Sequence, residues 1–297
     1  FRQIVPPATP SQRLDRYLAQ ALKDHSRTQI QRWIEEGYVR LSGKELKASH
    51  RMVSGEELEI EVPPPEMPGL KAEAIPLEIV YEDDWLLVVN KPAGMVVHPA
   101  PGNPAGTLAN ALLAHSPRWS TEAGPLKPGI VHRLDKETSG LLVVAKDERT
   151  HRFLSRQFAE RKVLRHYLAV VQGVMARDEG TISAPIGRHP LRRQRMSVQY
   201  GTGREALTRY RVLRRLRRAP VLALFLPTGR THQVRVHLAH VGHPLLGDAQ
   251  YGVRGEFSRQ ALHACRLGFE HPETGRWVEF TAPLPADLQK DLEKKST

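Results

Sequence analysis

The sequence predicts an α+β chain of two domains, a small helix-then-strand unit followed by a larger unit built on a mixed or antiparallel sheet. Three observations carry this. After residue 75, strand-like runs far outnumber helical ones and do not alternate regularly with them, as a parallel βαβ sheet would require. Residues 11–62 show two short amphipathic helical patterns and then alternating strands. Between these regions lies a Pro-rich tract, so the domains are expected at 11–62 and 75–290, with a stiff linker at 63–74.

In the first unit, Leu14, Leu18, Ala21 and Leu22 recur at helical spacing, with Ser11 as the expected cap. A second helix opens at Ser26 or Thr28, carries Ile30, Trp33 and Ile34, and stops at Gly37. Val39 and Leu41 alternate into a Ser42-Gly43 turn, and Leu58, Ile60 and Val62 alternate again, which predicts short strands. Basic residues including Arg13, Arg27, Arg32, Arg40 and Lys47 are spread through this unit and give it the look of a nucleic-acid docking module. In the second domain, strands are expected at 79–81, 86–89, 141–145, 167–171 and 221–226. The clearest helices are expected at 107–115, 148–161 and 231–241.

Charge narrows the partner. The 297 residues carry 44 Lys and Arg against 32 Asp and Glu, a net charge of +12, which favours a polyanion. No apolar run approaches the roughly 18 residues of a spanning helix, and no basic amphipathic helix suits a lipid surface. Nucleic acid is the better reading, with no membrane partner expected. Cys265 is the single cysteine, which excludes an intrachain disulfide framework and a cysteine-based zinc site. The opening FRQIVPPATP lacks the apolar core of a signal peptide, so a cytoplasmic location is expected.

Two dense regions carry the candidate chemistry. In GIVHRLDKETSGLLVVAKD (129–147), Asp135 sits in a polar loop between two apolar runs, 129–131 and 141–145, both read as buried strands. Thr138-Ser139-Gly140 reads as the turn, with Gly140 able to take a positive φ. A polar loop residue at the end of a rigid sheet is a favoured place for chemistry. In LPTGRTHQVRVHLAHVGHPLLGDAQYG (226–252), Arg230 follows an apolar strand where a helix begins, and its guanidinium suits a carboxylate or phosphate. His237, His240 and His243 are spaced by three, so they drift round a helix rather than converge as metal ligands, and no metal is expected. His132, Asp135 and Ser139 crowd one short loop, unlike a hydrolase triad drawn from separated segments. Asp135 lacks the matching second acid of ordinary glycoside hydrolysis. No phosphate-cradling glycine loop follows a strand, so no nucleotide cofactor is expected.

These motifs, with NKPAGMVVHPAPGNPAGTLANALL (90–113) and LHACRLGFEHP (262–272), make the whole chain resemble the RluA family of ribosomal large-subunit pseudouridine synthases, nearest its RluD branch. RLDRYLAQAL and SRTQIQRWIEEGYVRLSGK in the first unit resemble the alpha-L RNA-binding motif of a small-subunit ribosomal protein. The resemblance implies an enzyme that isomerises chosen uridines of large-subunit ribosomal RNA, free or in a pre-ribosomal particle. It implies no metal or organic cofactor, and a monomer. Asp135 would be its catalytic carboxylate, acting as nucleophile or as a charge-stabilising proton carrier; the residues leave both open. Arg230 would hold Asp135 ionised. Tyr167 would stack on the flipped uracil and carry a proton. Arg133 would fill the space the base leaves, and Leu262 would lie under the base or in the core. Arg188, Arg192, Arg193 and Arg195, in GRHPLRRQR, would grip RNA, and Arg214, Arg215, Arg217 and Arg218 form a second basic run. The rival readings are a synthase for transfer RNA or other ribosomal sites, and a non-catalytic RNA-binding assembly factor. The presence of Asp135, Tyr167 and Arg230 together argues against the latter.

Overall fold

The structure, a computed structural model, describes residues 2–4, 11–22, 27–42, 44–61, 70–216, 219–252, 255 and 257–296. The chain divides into two units, Phe1–Pro68 and Gly69–Thr297.

The first unit comprises β1 (Arg2–Ile4), α1 (Leu14–Ala21), α2 (Arg27–Glu35), β2 (Val39–Leu41), β3 (Lys44–Glu45) and β4 (Glu57–Ile60). Its sheet runs in the order β1-β4-β2-β3, with β1 an edge strand that the periodicity did not indicate. The helical stripe packs as expected: Leu14, Leu18, Ile30 and Ile34 are buried against Val39, Met52, Leu58 and Ile60. Ser11 is not the cap of α1. The helix is entered at Arg13 without a side-chain cap, because the N–H groups of Leu14 and Asp15 reach the carbonyls of His50 and Ala48. Thr28 lies inside α2, whose start follows residue 26, outside the described residues. Gly37, at φ +78°, ends that helix as predicted.

In the second unit, two short antiparallel strands and a helix come first: β5 (Ile79–Glu82), β6 (Leu86–Lys91) and α3 (Leu108–His115). The centre follows with β7 (Ser139–Ala145), α4 (Glu148–Ala159), β8 (Leu164–Val170), β9 (Glu179–Ser183), β10 (Ile186–Arg188) and β11 (Met196–Val198). The chain closes with β12 (Leu207–Arg214), β13 (Val221–Phe225), α5 (Gln233–His240), β14 (Leu262–Glu270), β15 (Trp277–Thr281) and α6 (Ala286–Ser296). The main sheet has the order β5-β6-β7-β14-β8-β13-β12-β9, with β15 also on β14. Every pair is antiparallel except β7 with β14, so the sheet is mixed, as the pattern of runs predicts.

β7 explains its own continuous apolar run. It is buried along its whole length because both faces of the sheet are covered. Leu142 and Val144 face a core with Val89, Leu222 and Leu224, while Leu141, Val143 and Ala145 face another with Val88, Leu154 and Phe269. The strand starts earlier than the turn residues suggested, since Ser139 and Gly140 already belong to it. Gly140 has φ +118°, and a Cβ there would meet the Ala264 carbonyl oxygen at 2.3 Å. The close parallel approach of β14, not a loop, is what requires glycine. Residues 129–131, expected as a strand, form only an isolated bridge from Ile130 to Val144.

Of the tract assigned to the linker, 63–69 lies outside the described residues, as does residue 62 before it. Residues 70–74 pack on the second unit: Leu70 joins its main core, and the Glu73 N–H donates to the Asn110 carbonyl at 3.0 Å. The helix expected at 148–161 ends at Ala159, where Glu160 caps it and Arg161 turns to φ 61°.

Candidate active site

The loop of residues 131–138 feeds directly into β7, the strand most firmly held between the two cores. Its closing turn is fixed by the Thr138 N–H donating to the Asp135 carbonyl at 3.1 Å. Next in the sheet lies β14, opening with Leu262, and beyond it β8, carrying Tyr167. β13 then delivers the chain through residues 227–232 into α5. Four segments carried by strands in the middle of the sheet thus meet and enclose a cavity of about 310 Å³. Asp135, Arg133, Tyr167, Arg230 and Leu262 all line it, beside Arg165, His232 and Arg235.

The partner of Asp135 differs from the expected one. Arg235 Nη1 donates to Asp135 Oδ2 at 3.2 Å, whereas Arg230 Nε donates to the Glu205 carbonyl at 3.0 Å. Arg235 lies on the first turns of α5 and also grips Asp248 through both Nε (2.8 Å) and Nη2 (2.9 Å). Its side chain is 9% exposed and that of Asp248 fully buried, so one guanidinium serves two carboxylates out of water. Burial opposes the charge on Arg235, yet the bonds to Asp248 and the charge of Asp135 more than offset it and raise its pKa. Burial likewise opposes ionised Asp248, but Arg235 holds it below the usual carboxylate range.

The backbone before α5 is shaped for this contact. His232 sits at φ 55°, a left-handed conformation uncommon outside glycine. Gln233 holds the bend: its Oε1 accepts from Thr228 Oγ1 (2.8 Å) and the Arg230 N–H (3.0 Å), and its Nε2 donates to the Leu207 carbonyl (2.9 Å). His232 Nε2 stands 4.0 Å from Asp135 Oδ1. Burial lowers the pKa of His232, partly countered by the charge of Asp135.

Tyr167 is buried against the main core, and burial pushes its hydroxyl up to about 12, so it enters any reaction at neutral pH as a protonated phenol. Beside it, Arg165 stacks over Phe158 with 5.4 Å from its central carbon to the ring centroid and donates to the Pro227 carbonyl at 3.0 Å. Burial lowers the pKa of Arg165. His132, although next to the loop acid, is a structural ring. Its Nε2 accepts the Val143 N–H at 3.0 Å, it stacks on Phe158 at 4.6 Å, and burial depresses its pKa to about 3. Arg133 points away from the core, with Nη1 3.5 Å from His98 Nε2. Leu262 both lines the cavity and belongs to the core, so the two expectations for it coincide.

The remaining candidates lie elsewhere. Arg188 ends β10, and Arg192, Arg193 and Arg195 stand on the connection to β11, lining a second groove. In the first unit, Arg27 Nη2 pairs with the buried Asp15 at 2.7 Å, and Arg32 pairs with Glu36 at 2.6 Å, so both guanidinium groups have internal duties. Arg215 is paired with Asp178, while Arg217 and Arg218 lie outside the described residues. The three spaced histidines have separate partners: on α5, His237 bonds Thr208 Oγ1 and the Ala184 carbonyl and His240 lies 3.5 Å from the Tyr200 hydroxyl, and beyond the helix His243 bonds the Gln172 carbonyl.

A family model described as RNA pseudouridylate synthase matches residues 85–240, and one described as S4 domain matches residues 12–58. An uncharacterized RNA pseudouridine synthase of Bacillus subtilis, YlyB, is 48% identical over 285 residues, covering 95% of this chain and 94% of the relative. The chain belongs to the RNA pseudouridylate synthase family. The ribosomal large subunit pseudouridine synthase D of Pasteurella multocida is 43% identical over 298 residues, covering 95% of this chain and 90% of that protein. Among solved structures, human RNA pseudouridylate synthase domain containing 1 aligns with a TM-score of 0.58 at 31% identity, covering 72% of this chain and 86% of that one. The synthase domain is thus preceded by an S4 domain, and the chain is an RNA pseudouridine synthase, an isomerase. Among the described residues, no helix is long and apolar enough to cross a membrane.

Sequence reasoning missed Arg235, Gln233 and Asp248. The signal was present, since all three lie in the motif that supplied Arg230. Telling the two arginines apart requires the phase of α5 against the loop of Asp135.

Proposed function

We propose that this protein isomerises specific uridines of large-subunit ribosomal RNA to pseudouridine, with Asp135 as the reacting carboxylate. The observation that carries the reading is the cavity joining Asp135, Arg235 and Tyr167 in one family member. At about 310 Å³ it lies at the small end of ligand pockets, a volume that suits one extruded nucleoside rather than a paired helix. Relatives named ribosomal large subunit pseudouridine synthase D support the choice of RNA, as do the net charge of +12 and the S4 domain. A role in ribosome biogenesis and a cytoplasmic site of action accompany that choice.

The reaction is redox-neutral. The bond from ribose C1′ to N1 breaks, the uracil turns, C1′ joins C5, C5 gives up its proton and N1 gains one. Asp135 is placed to act at the ribose as nucleophile or as stabiliser of positive charge and proton carrier. Arg235 holds one of its oxygens and leaves the carboxylate oriented toward the cavity. Tyr167 supplies a face for the uracil and a hydroxyl that keeps its proton. Arg133, exposed at the rim, fills the stack the base has left, and Arg230 lines the cavity as a contact for the backbone of the RNA.

Tritium release from large-subunit ribosomal RNA labelled at uridine C5 tests this, with wild type and Asp135→Asn side by side. Release by wild type alone is expected, with RNA affinity kept in the variant because binding comes from basic surface elsewhere. Near-normal release by Asp135→Asn would overturn the assignment of the carboxylate. Silence of wild type on this RNA, with release from transfer RNA, would move the substrate.

A further inference from the structure

Two chains of contacts leave the basic hairpin β10–β11, and both end at Asp135. In the first, the Gln194 carbonyl accepts from Gln250 Nε2 at 3.3 Å, Gln250 Oε1 accepts from Arg235 Nη2 at 3.2 Å, and Arg235 Nη1 donates to Asp135 at 3.2 Å. In the second, the Met196 N–H donates to the Tyr251 hydroxyl oxygen at 2.9 Å, and that hydroxyl meets His232 Nδ1 at 2.9 Å. His232 Nε2 then faces Asp135 Oδ1 at 4.0 Å. The phenol oxygen accepts the Met196 N–H, which leaves its own proton free to be given to Nδ1 in one tautomer of the ring. In that tautomer the imidazole proton sits on Nε2, toward the carboxylate.

The two bridges share one anchor. Asp248 Oδ1 accepts from the backbone N–H of both Gln250 (2.9 Å) and Tyr251 (3.1 Å), while the same carboxylate grips Arg235. The Tyr251 ring lies against that guanidinium, 4.9 Å from centroid to central carbon. At the other end, Arg192, Arg193, Gln194, Arg195, Ala249 and Gln250 line a groove of about 570 Å³. Gln250 therefore belongs at once to a basic groove fit for phosphate and to the coordination of Arg235. The bonds of the first bridge, at 3.2–3.3 Å, are longer than the usual 2.9–3.0 Å or so and have room to shorten.

We propose that Gln250 and Tyr251 are positioning residues that couple capture of RNA phosphate by the basic hairpin to alignment of the Asp135–Arg235 pair. The proposal rests on the synthase reading above. Phosphate drawing on Arg192, Arg193 and Arg195 shifts the Gln194 carbonyl and the Met196 N–H, and the two bridges carry that shift to Arg235 and His232. RNA that fails to engage the hairpin then leaves the carboxylate less well aimed, so the groove contributes to substrate selection in the rate as well as in affinity.

The test is a double-mutant cycle on C5-tritiated large-subunit ribosomal RNA, with single-turnover rates at saturating protein and RNA affinity measured in parallel. The hairpin variant carries Arg192→Ala, Arg193→Ala and Arg195→Ala; the bridge variant carries Gln250→Ala and Tyr251→Phe. Each is expected to slow saturated isomerisation by about 10-fold or more, and Tyr251→Phe alone, outside the groove, to slow it with RNA affinity within about 3-fold of wild type. The combined protein is expected to be no slower than the bridge variant, because the arginines act on the rate through the bridges. Losses that multiply, or a hairpin variant that loses affinity alone, would overturn the coupling. Tyr251→Phe by itself removes one hydroxyl and keeps the ring under Arg235, so the second bridge is tested in a protein with its packing intact. Wild-type release in the same reactions separates the two readings: a wild type silent on ribosomal and transfer RNA alike overturns both, and an active one with multiplying losses overturns this one alone.

Discussion

Asp135 and Arg235 stand one hundred positions apart in the chain and 3.2 Å apart in space. Asp135 lies in the loop that leads into β7, and Arg235 rides the helix that follows a strand on the far side of β14 and β8. The pair exists because the fold brings this loop and this helix together over the middle strands of the sheet. Its geometry is held by Asp248 on one side and by the Gln233-locked bend on the other.

That arrangement separates two arginines five residues apart. Arg235→Met leaves Asp248 as a buried carboxylate without its guanidinium and is expected to cost about 3–5 kcal/mol of stability along with activity. Arg230→Met removes a carbonyl contact at the cavity wall and is expected to cost about 1 kcal/mol or less in stability. Urea unfolding of both variants, with tritium release, checks the ranking. Equal destabilisation by the two would contradict it.

His132 gives the fold a dependence on acid. The Val143 N–H needs a free lone pair on His132 Nε2, so protonation breaks that bond. In the unfolded chain the ring takes a proton near pH 6.5; in the fold it stays neutral down to about 3. The folded pKa is depressed, so its contribution is fully present above pH 6.5 and is lost as pH falls toward 3. Denaturant midpoints of wild type and His132→Leu, compared across that window, are expected to converge as pH falls. A constant gap between them would refute the assignment.

Gly140→Ala is expected to destabilise the second unit by about 3 kcal/mol or more. The added methyl carbon would meet the Ala264 carbonyl at 2.3 Å on a backbone at φ +118°. Since Gly140 pairs with Ala264 in the one parallel ladder of the sheet, the shift would also disturb the loop of Asp135. Thermal unfolding and single-turnover rate are expected to fall together, and an unchanged melting temperature would show that the ladder tolerates a side chain.

Removal of residues 1–68 is expected to leave residues 69–297 folded, since each unit has its own core. Modification of ribosomal RNA by the truncated protein is expected to weaken or change sites, because the S4 domain and its basic residues are gone. Circular dichroism checks the first expectation and site mapping the second. An unchanged rate and site pattern would remove the docking role from the first unit.

The pattern of residues alone determined the α+β class, the two-unit organisation and most elements of the second unit. Helical spacing located α3, α4 and α5 to within a few residues, since amphipathic periodicity is a local property. The motifs also placed Asp135, Tyr167, Arg133, Leu262 and Arg230 around what proved to be a single cavity. Tertiary structure decided the rest. Ser139 and Gly140 look like a turn by composition, but the parallel neighbour β14 draws them into a strand. Ser11 looks like a helix cap, but carbonyls from residues 48 and 50 take that place. Arg27 looks like an RNA contact, yet the buried Asp15 claims its guanidinium. Above all, the choice of Arg235 over Arg230 depends on the left-handed residue His232, which sets the phase of α5, and on a sheet order that puts this helix beside the loop of Asp135. Spacing along the chain carries the period of a helix, but which of its residues meets a loop one hundred positions away is set by packing.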